Sequence, residues 1–94
     1  MKIALGTVRA ATNVILDALE ARGTCDVTLD EDYYWFVPSP AVYDVTKPIA
    51  GATLGQLSDN LHEIARIAAG ESEPVGSDLV SLGMLMRFIG ERTI

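Results

Sequence analysis

The sequence predicts a small α+β domain with three helices and a short β-strand or hairpin. Three stretches place apolar residues at helical spacing, and a run of strand-forming aromatics lies between the first two of them. The chain has 94 residues, and 49% of them are hydrophobic. That length and composition favour one domain over residues 1–94 with a modest core.

The first predicted helix runs roughly from Thr7 to Arg22, and an earlier start at Lys2 or Ile3, which depends on Gly6, remains an alternative. Its apolar stripe comprises Val8, Ala11, Val14, Ile15, Ala18 and Leu19. Gly23 follows directly and suits a left-handed cap at the end of the helix.

The segment after this helix predicts one or two short strands. Residues 25–29 alternate between apolar and polar, as in a half-buried strand, and residues 33–37 are strand formers. Residues 30–32 are compatible with a hairpin turn between them but contain neither Gly nor Asn. One continuous strand, or a strand followed by an irregular turn, remains an alternative. Residues 39–52 contain Pro40 and Pro48 and are expected to be irregular.

The second predicted helix begins at Thr53 and ends at Gly70. Thr53 and Gln56 have the spacing of a capping box, in which two side chains satisfy the first backbone N–H groups. The expected core face comprises Leu57, Leu61, Ile64, Ala65 and Ala68.

The third predicted helix begins with Ser77 or Asp78 as its cap and runs to about Glu91. Its expected core face comprises Leu79, Leu82, Leu85, Met86 and Ile89. Three further apolar residues widen that face most of the way round: Val80, Met84 and Phe88. Because two other helices and a short strand can hardly cover such a helix, we expect a homodimer.

The charge of the chain is acidic and unevenly distributed. The net charge is −6, and residues 23–46 contain five acids and no Lys, Arg or His. These acids are Asp26, Asp30, Glu31, Asp32 and Asp44. An acidic segment repels phosphate backbones, so we expect no nucleic-acid binding and favour a protein partner with a basic surface. The alternative interpretation is a charge that only keeps the protein soluble.

The single cysteine suggests a reducing compartment, and the lengths of the apolar runs suggest no membrane-spanning segment. Cys25 is the only cysteine, so an intramolecular disulfide is excluded; it is expected to be a buried, inert thiol. Residues 1–6 resemble the start of a signal peptide, but Arg9 interrupts the apolar run. No apolar run approaches the ~20 residues needed to span a bilayer, so a cytoplasmic location without membrane binding is expected.

The acids run directly into four of the six aromatic residues, and we expect this segment to be the binding surface. The candidate binding residues are Asp30, Glu31, Asp32, Tyr33, Trp35, Tyr43 and Asp44. In a strand, Tyr34 and Phe36 point one way and Tyr33 and Trp35 the other. One set can pack under the helices, while the other must be covered by the proline-rich loop or remain exposed.

Catalytic and metal chemistry find little support in the sequence. His62 is the only histidine, and Asp59 precedes it by three positions. This spacing, or His62 with Asp44 or Cys25, gives the alternative of a small hydrolase or ligand-binding protein. We assign no catalytic residue, metal ligand or cofactor. Asp30 and Asp32 match the start of a calcium loop. Such a loop needs glycine at its sixth position, and that position here is occupied by Trp35.

Three stretches together resemble a family of small bacterial proteins of similar length. They are Leu29–Trp35 (LDEDYYW), Tyr43–Val45 (YDV) with Lys47–Pro48, and Leu54–Asp59 (LGQLSD). The resemblance covers about residues 27–89 and implies a small bacterial domain. It implies no activity, ligand or site residue, because none is established for that family. Small acidic bacterial proteins that confer immunity to toxins offer an analogy only.

Overall fold

The computed structural model describes residues 1–93, which form four helices and one two-stranded antiparallel sheet. In chain order the elements are α1 (Leu5–Ala21), β1 (Tyr33–Phe36), α2 (Ser39–Tyr43), β2 (Thr53–Gln56), α3 (Leu57–Ala68) and α4 (Gly76–Arg92). The predicted α+β class is confirmed. The additional helix, α2, lies in the segment expected to be irregular. Its early Pro40 suits the first turn, where the fixed φ of proline is helical and no N–H is needed.

One strand of the sheet is the predicted strand at 33–37, which forms as β1, but its partner comes from a different part of the chain than predicted. Residues 24–29 have no regular structure, so the prediction of a strand at 25–29 is wrong. β1 instead pairs with β2, with Tyr33 opposite Gln56 and Phe36 opposite Thr53. The alternation at 25–29 is typical of a strand, but a strand also needs a partner to pair with. β1 takes β2 as that partner instead.

The start of α3 also differs from the prediction. Thr53 lies in β2, so it is not the cap of a helix, and α3 begins four residues later at Leu57. The residue before α3, Gln56, makes no side-chain capping bond. The acceptor for the first turn comes instead from Asp32, described below.

The predicted ends of the first two long helices are confirmed. Gly70 has a φ of 74° after α3, and Gly23 has a φ of 88° after α1. At the end of α3, the N–H groups of Gly70 and Glu71 donate to the carbonyls of Ile67 and Arg66. These two bonds form a Schellman motif, which needs the left-handed conformation that glycine adopts most readily.

α4 begins slightly earlier than predicted, with Val75 as the flanking residue. The Val75 N–H donates to Asp78 Oδ2 at 2.7 Å. Asp78 therefore satisfies this N–H from inside the first turn of the helix, where its negative charge also complements the helix dipole.

The packed centre lies between α3 and α4. Leu57 and Leu85, which are 4% and 7% exposed, are the buried apolar side chains of residues 1–93. Leu79, expected in the core face of α4, is exposed instead. α1 lies beside α4 in the same direction, since Leu5 shares a cavity with Leu79 and Leu19 shares the next one with Ile89.

Candidate functional site

One face of the two-stranded sheet carries large exposed apolar side chains. Tyr33 is 60% exposed, Trp35 is 69% exposed and Leu54 is 62% exposed. Trp35 and Leu54 lie directly opposite each other across the strands, and Tyr33 is two residues before Trp35 on the same side. We call these three residues the aromatic face.

The opposite face of the sheet is packed onto the helices. Tyr34 and Phe36 are half-buried, and the Tyr34 ring crosses its strand partner Gly55. The Tyr34 and Phe88 ring centroids are 6.2 Å apart at an interplanar angle of 53°. Asn60 Nδ2 donates to the Tyr34 hydroxyl at 2.7 Å. Tyr34 therefore joins the sheet to α3 and α4, and this anchorage turns Tyr33 and Trp35 outwards.

The acid next to the aromatic face holds the start of α3. Asp32 Oδ1 accepts a hydrogen bond from the Ser58 N–H at 2.8 Å, and Oδ2 accepts from Gln56 Nε2 at 2.8 Å and from the Ser58 hydroxyl at 3.1 Å. The hydrogen bond from Gln56, followed by those from Ser58, lowers the pKa of Asp32. Both carboxylate oxygens of this predicted binding residue are therefore engaged within the fold.

The other two acids of the run have different surroundings. Glu31 forms an ion pair with Arg92 at the end of α4, and the hydrogen bond from that guanidinium lowers the pKa of Glu31. Asp30 is exposed and accepts no hydrogen bond from the side chains of residues 1–93. Asp30 is therefore the acid of the run whose charge is most available to a partner.

Tyr43 and Asp44 lie at the end of α2, in a separate turn. Tyr43 is exposed. Asp44 Oδ1 accepts from the Thr46 hydroxyl at 2.6 Å and from the Thr46 N–H at 3.2 Å, and these bonds lower the pKa of Asp44. Lys47 Nζ lies 3.7 Å from Asp44 Oδ2. The contacts of Asp44 are local, so the seven predicted residues form two groups, one at 30–35 and one at 43–44.

The residues considered for catalysis are not brought together. His62 is exposed on α3, and its ring makes no hydrogen bond with Asp59 or Asp44 in the described part of the chain. Cys25 is exposed, so the expectation of a buried thiol is wrong. Within residues 1–93, no three His, Cys, Asp or Glu side chains cluster closely enough to hold a metal ion.

Leu54 is the member of the aromatic face that sequence reasoning missed. The predicted helix that begins at Thr53 includes Leu54 in its first turn, where a single leucine does not indicate a binding surface. Its place beside Trp35 depends on the pairing of β1 with β2, which no local pattern in the sequence specifies.

The comparisons with known proteins identify no relative. No family model, no curated protein and no solved structure matches this chain. The resemblance of three motifs to a small bacterial family therefore stays an expectation. Among the helices of residues 1–93, none combines the length and apolarity needed to cross a membrane.

Proposed function

We propose that this protein is a non-enzymatic protein-binding module that docks through the aromatic face. The supporting observation is the contrast within β1. Tyr34 is held by Asn60 and Phe88, whereas Tyr33 and Trp35 on the other side are more than half exposed. Exposed Trp and Tyr on a rigid element are the side chains that most often dominate the energy of a protein interface.

The proposed partner has a basic surface next to an apolar pocket. Asp30 lies three residues before Tyr33, and Asp26 is also exposed. Among residues 1–93, the cation paired with this acidic run is Arg92, which meets Glu31. Acids beside an apolar anchor steer encounter with a positive surface, while the rings supply the buried contact.

The proposal includes a homodimer, in which each copy presents one aromatic face. Immunity to a toxin is one role that such a small acidic binding module can fill. The homodimer and the immunity role both follow from the sequence-based expectation. The first test concerns the aromatic face.

The test compares ring truncations with a matched exposed apolar control. Trp35→Ala and Tyr33→Ala remove the anchors, and Val75→Ala shortens a side chain that is similarly exposed but lies before α4. A partner is captured from native lysate with the wild-type protein, identified, and measured by surface plasmon resonance. We expect each ring truncation to speed dissociation and to cost about 2 kcal/mol or more, with Val75→Ala neutral.

Neutralising Asp26 and Asp30 tests the electrostatic steering of association separately from the aromatic contacts. We expect Asp26→Asn with Asp30→Asn to slow association and to flatten its dependence on salt, because these charges act before contact. Unchanged affinity in both ring variants, with circular dichroism showing them folded, would remove the aromatic face as the docking site.

A further inference from the structure

The chain exposes much more surface than a monomer of its size. Its accessible surface is 7500 Å², against about 5,300 Å² for a folded monomer of 10.1 kDa. Its radius of gyration is 15.0 Å, against roughly 12 Å expected for this length. The surplus of about 2,000 Å² per chain is comparable to what each subunit of an obligate dimer buries.

Exposed apolar side chains line the space between α1 and α4. Two cavities of about 290 and 570 Å³ run between the two helices, and Thr12 and Met86 line both of them. We call the continuous feature the α1–α4 groove. Its walls are largely apolar, with Val8 and Ile15 on the α1 side, and both of these side chains are exposed.

We propose that a second copy of this chain covers the α1–α4 groove, with the two α1 helices antiparallel about a two-fold axis at the level of Ile15. This inference rests on the homodimer proposed above and is independent of the aromatic face. A two-fold contact uses the same surface on both copies, so one groove supplies both sides of the interface.

The charges of α1 explain why the occupant is a second copy in this orientation. Arg9 lies in the first half of α1, and Asp17 and Glu20 lie in the second half. Helical spacing puts Arg9 and Glu20 on the flank of α1 that borders the groove, and Arg9 also lines one of the two cavities. Asp17 lies further round the helix, on the side away from the groove. None of the three takes part in an ion pair within residues 1–93.

A two-fold axis perpendicular to the helices brings the same flank of both copies together and reverses its direction. Arg9 of each copy then lies level with Glu20 of the other α1. The helix dipoles are also antiparallel in this arrangement, which is favourable. A parallel arrangement would instead place like charges side by side.

The first measurement is the mass in solution with a matched pair of variants. Sedimentation equilibrium of the wild-type protein across the micromolar range is expected to give twice the chain mass of 10.1 kDa. Val8→Glu puts a charge in the groove, whereas Val14→Glu puts the same charge on the other side of α1. The two valines are 49% and 68% exposed. We expect Val8→Glu to give a monomer and Val14→Glu to remain a dimer.

A charge exchange tests the orientation without changing any apolar side chain. Arg9→Glu alone, or Glu20→Arg alone, is expected to weaken the dimer roughly tenfold, because attraction at both ends becomes repulsion. The double variant, or an equal mixture of the two single variants, is expected to regain the wild-type dimer. Because these side chains are exposed, circular dichroism is expected to show unchanged folding.

Three outcomes would overturn the inference. They are a wild-type monomer at high micromolar concentration, dissociation by Val14→Glu as complete as by Val8→Glu, and no recovery on charge exchange. A monomeric protein that still binds its partner would contradict the proposed dimer and leave the proposed docking through the aromatic face standing. A dimer whose exposed rings contribute nothing to partner binding would contradict the docking proposal and leave the dimer standing.

Discussion

Asp32 and Ser58 lie 26 residues apart in the chain, and Asp32 Oδ1 accepts a 2.8 Å hydrogen bond from the Ser58 N–H. The Asp32 carbonyl also accepts from the Leu57 N–H. The first turn of α3 is therefore capped by a residue from the approach to β1. This connection fixes the start of the sheet and the start of the helix relative to each other.

Replacing Asp32 is expected to destabilise both the sheet and α3. Asp32→Ala removes the acceptors for the Ser58 N–H and for Gln56, and these donors then lack a partner. We expect a lower urea midpoint by circular dichroism. Asp30→Ala is the matched control, because it also removes a carboxylate from the run but no internal contact. An equal effect of the two substitutions would mean that only the charge of the run matters.

Stability is expected to fall in acid, and Asp32 should contribute to that loss. Its pKa in the folded state lies below the ordinary value of 3.8. A depressed carboxyl pKa contributes stability that is fully present above the unfolded pKa and is lost as pH falls through the folded pKa. Urea midpoints of the wild-type protein measured downward from neutral pH should therefore begin to decline near pH 4. The Asp32→Ala variant should decline less, and a parallel decline would contradict this assignment.

Gly55→Ala is expected to destabilise the protein because the Tyr34 ring occupies the space above Gly55. A methyl group there would lie 2.6 Å from Tyr34 Cε2 and 2.7 Å from the Tyr34 hydroxyl oxygen. Moving the ring or the strand should cost about 1–3 kcal/mol in the free energy of unfolding. In a Tyr34→Ala background, the same change should cost almost nothing. Urea denaturation of the four proteins gives this coupling, and simple additivity would refute the close approach.

The two neighbouring tyrosines of β1 should respond differently to loss of the hydroxyl group. Tyr34→Phe removes the hydrogen bond from Asn60 and should lower the free energy of unfolding by about 0.5–1.5 kcal/mol. Tyr33→Phe should leave it unchanged, since that side chain is exposed. Thermal and urea unfolding of both variants measure the difference. A larger effect at Tyr33 would mean that the faces of the sheet are exchanged.

The sequence predicted the features that depend on local pattern. Alternation in the aromatic run separated Tyr34 from Tyr33 and Trp35, and glycines placed the ends of α1 and α3. Pairing of distant segments was not predictable from local pattern. Thr53 and Gln56 have the spacing of a capping box, yet they form a strand because β1 supplies their partner. Asp32 gave no sign of capping a helix, since the cap acts across a long separation in the chain.

The exposed thiol of Cys25 has a practical consequence for measuring the assembly. It is the only cysteine and lies in the irregular segment just after α1, so one spin label attaches without any other substitution. α1 has 17 residues and is about 25 Å long. In an antiparallel pair of α1 helices, the two labels lie at opposite ends. Pulsed electron resonance would then record one long separation, whereas a parallel pair would bring the labels together and a monomer would give no dipolar signal.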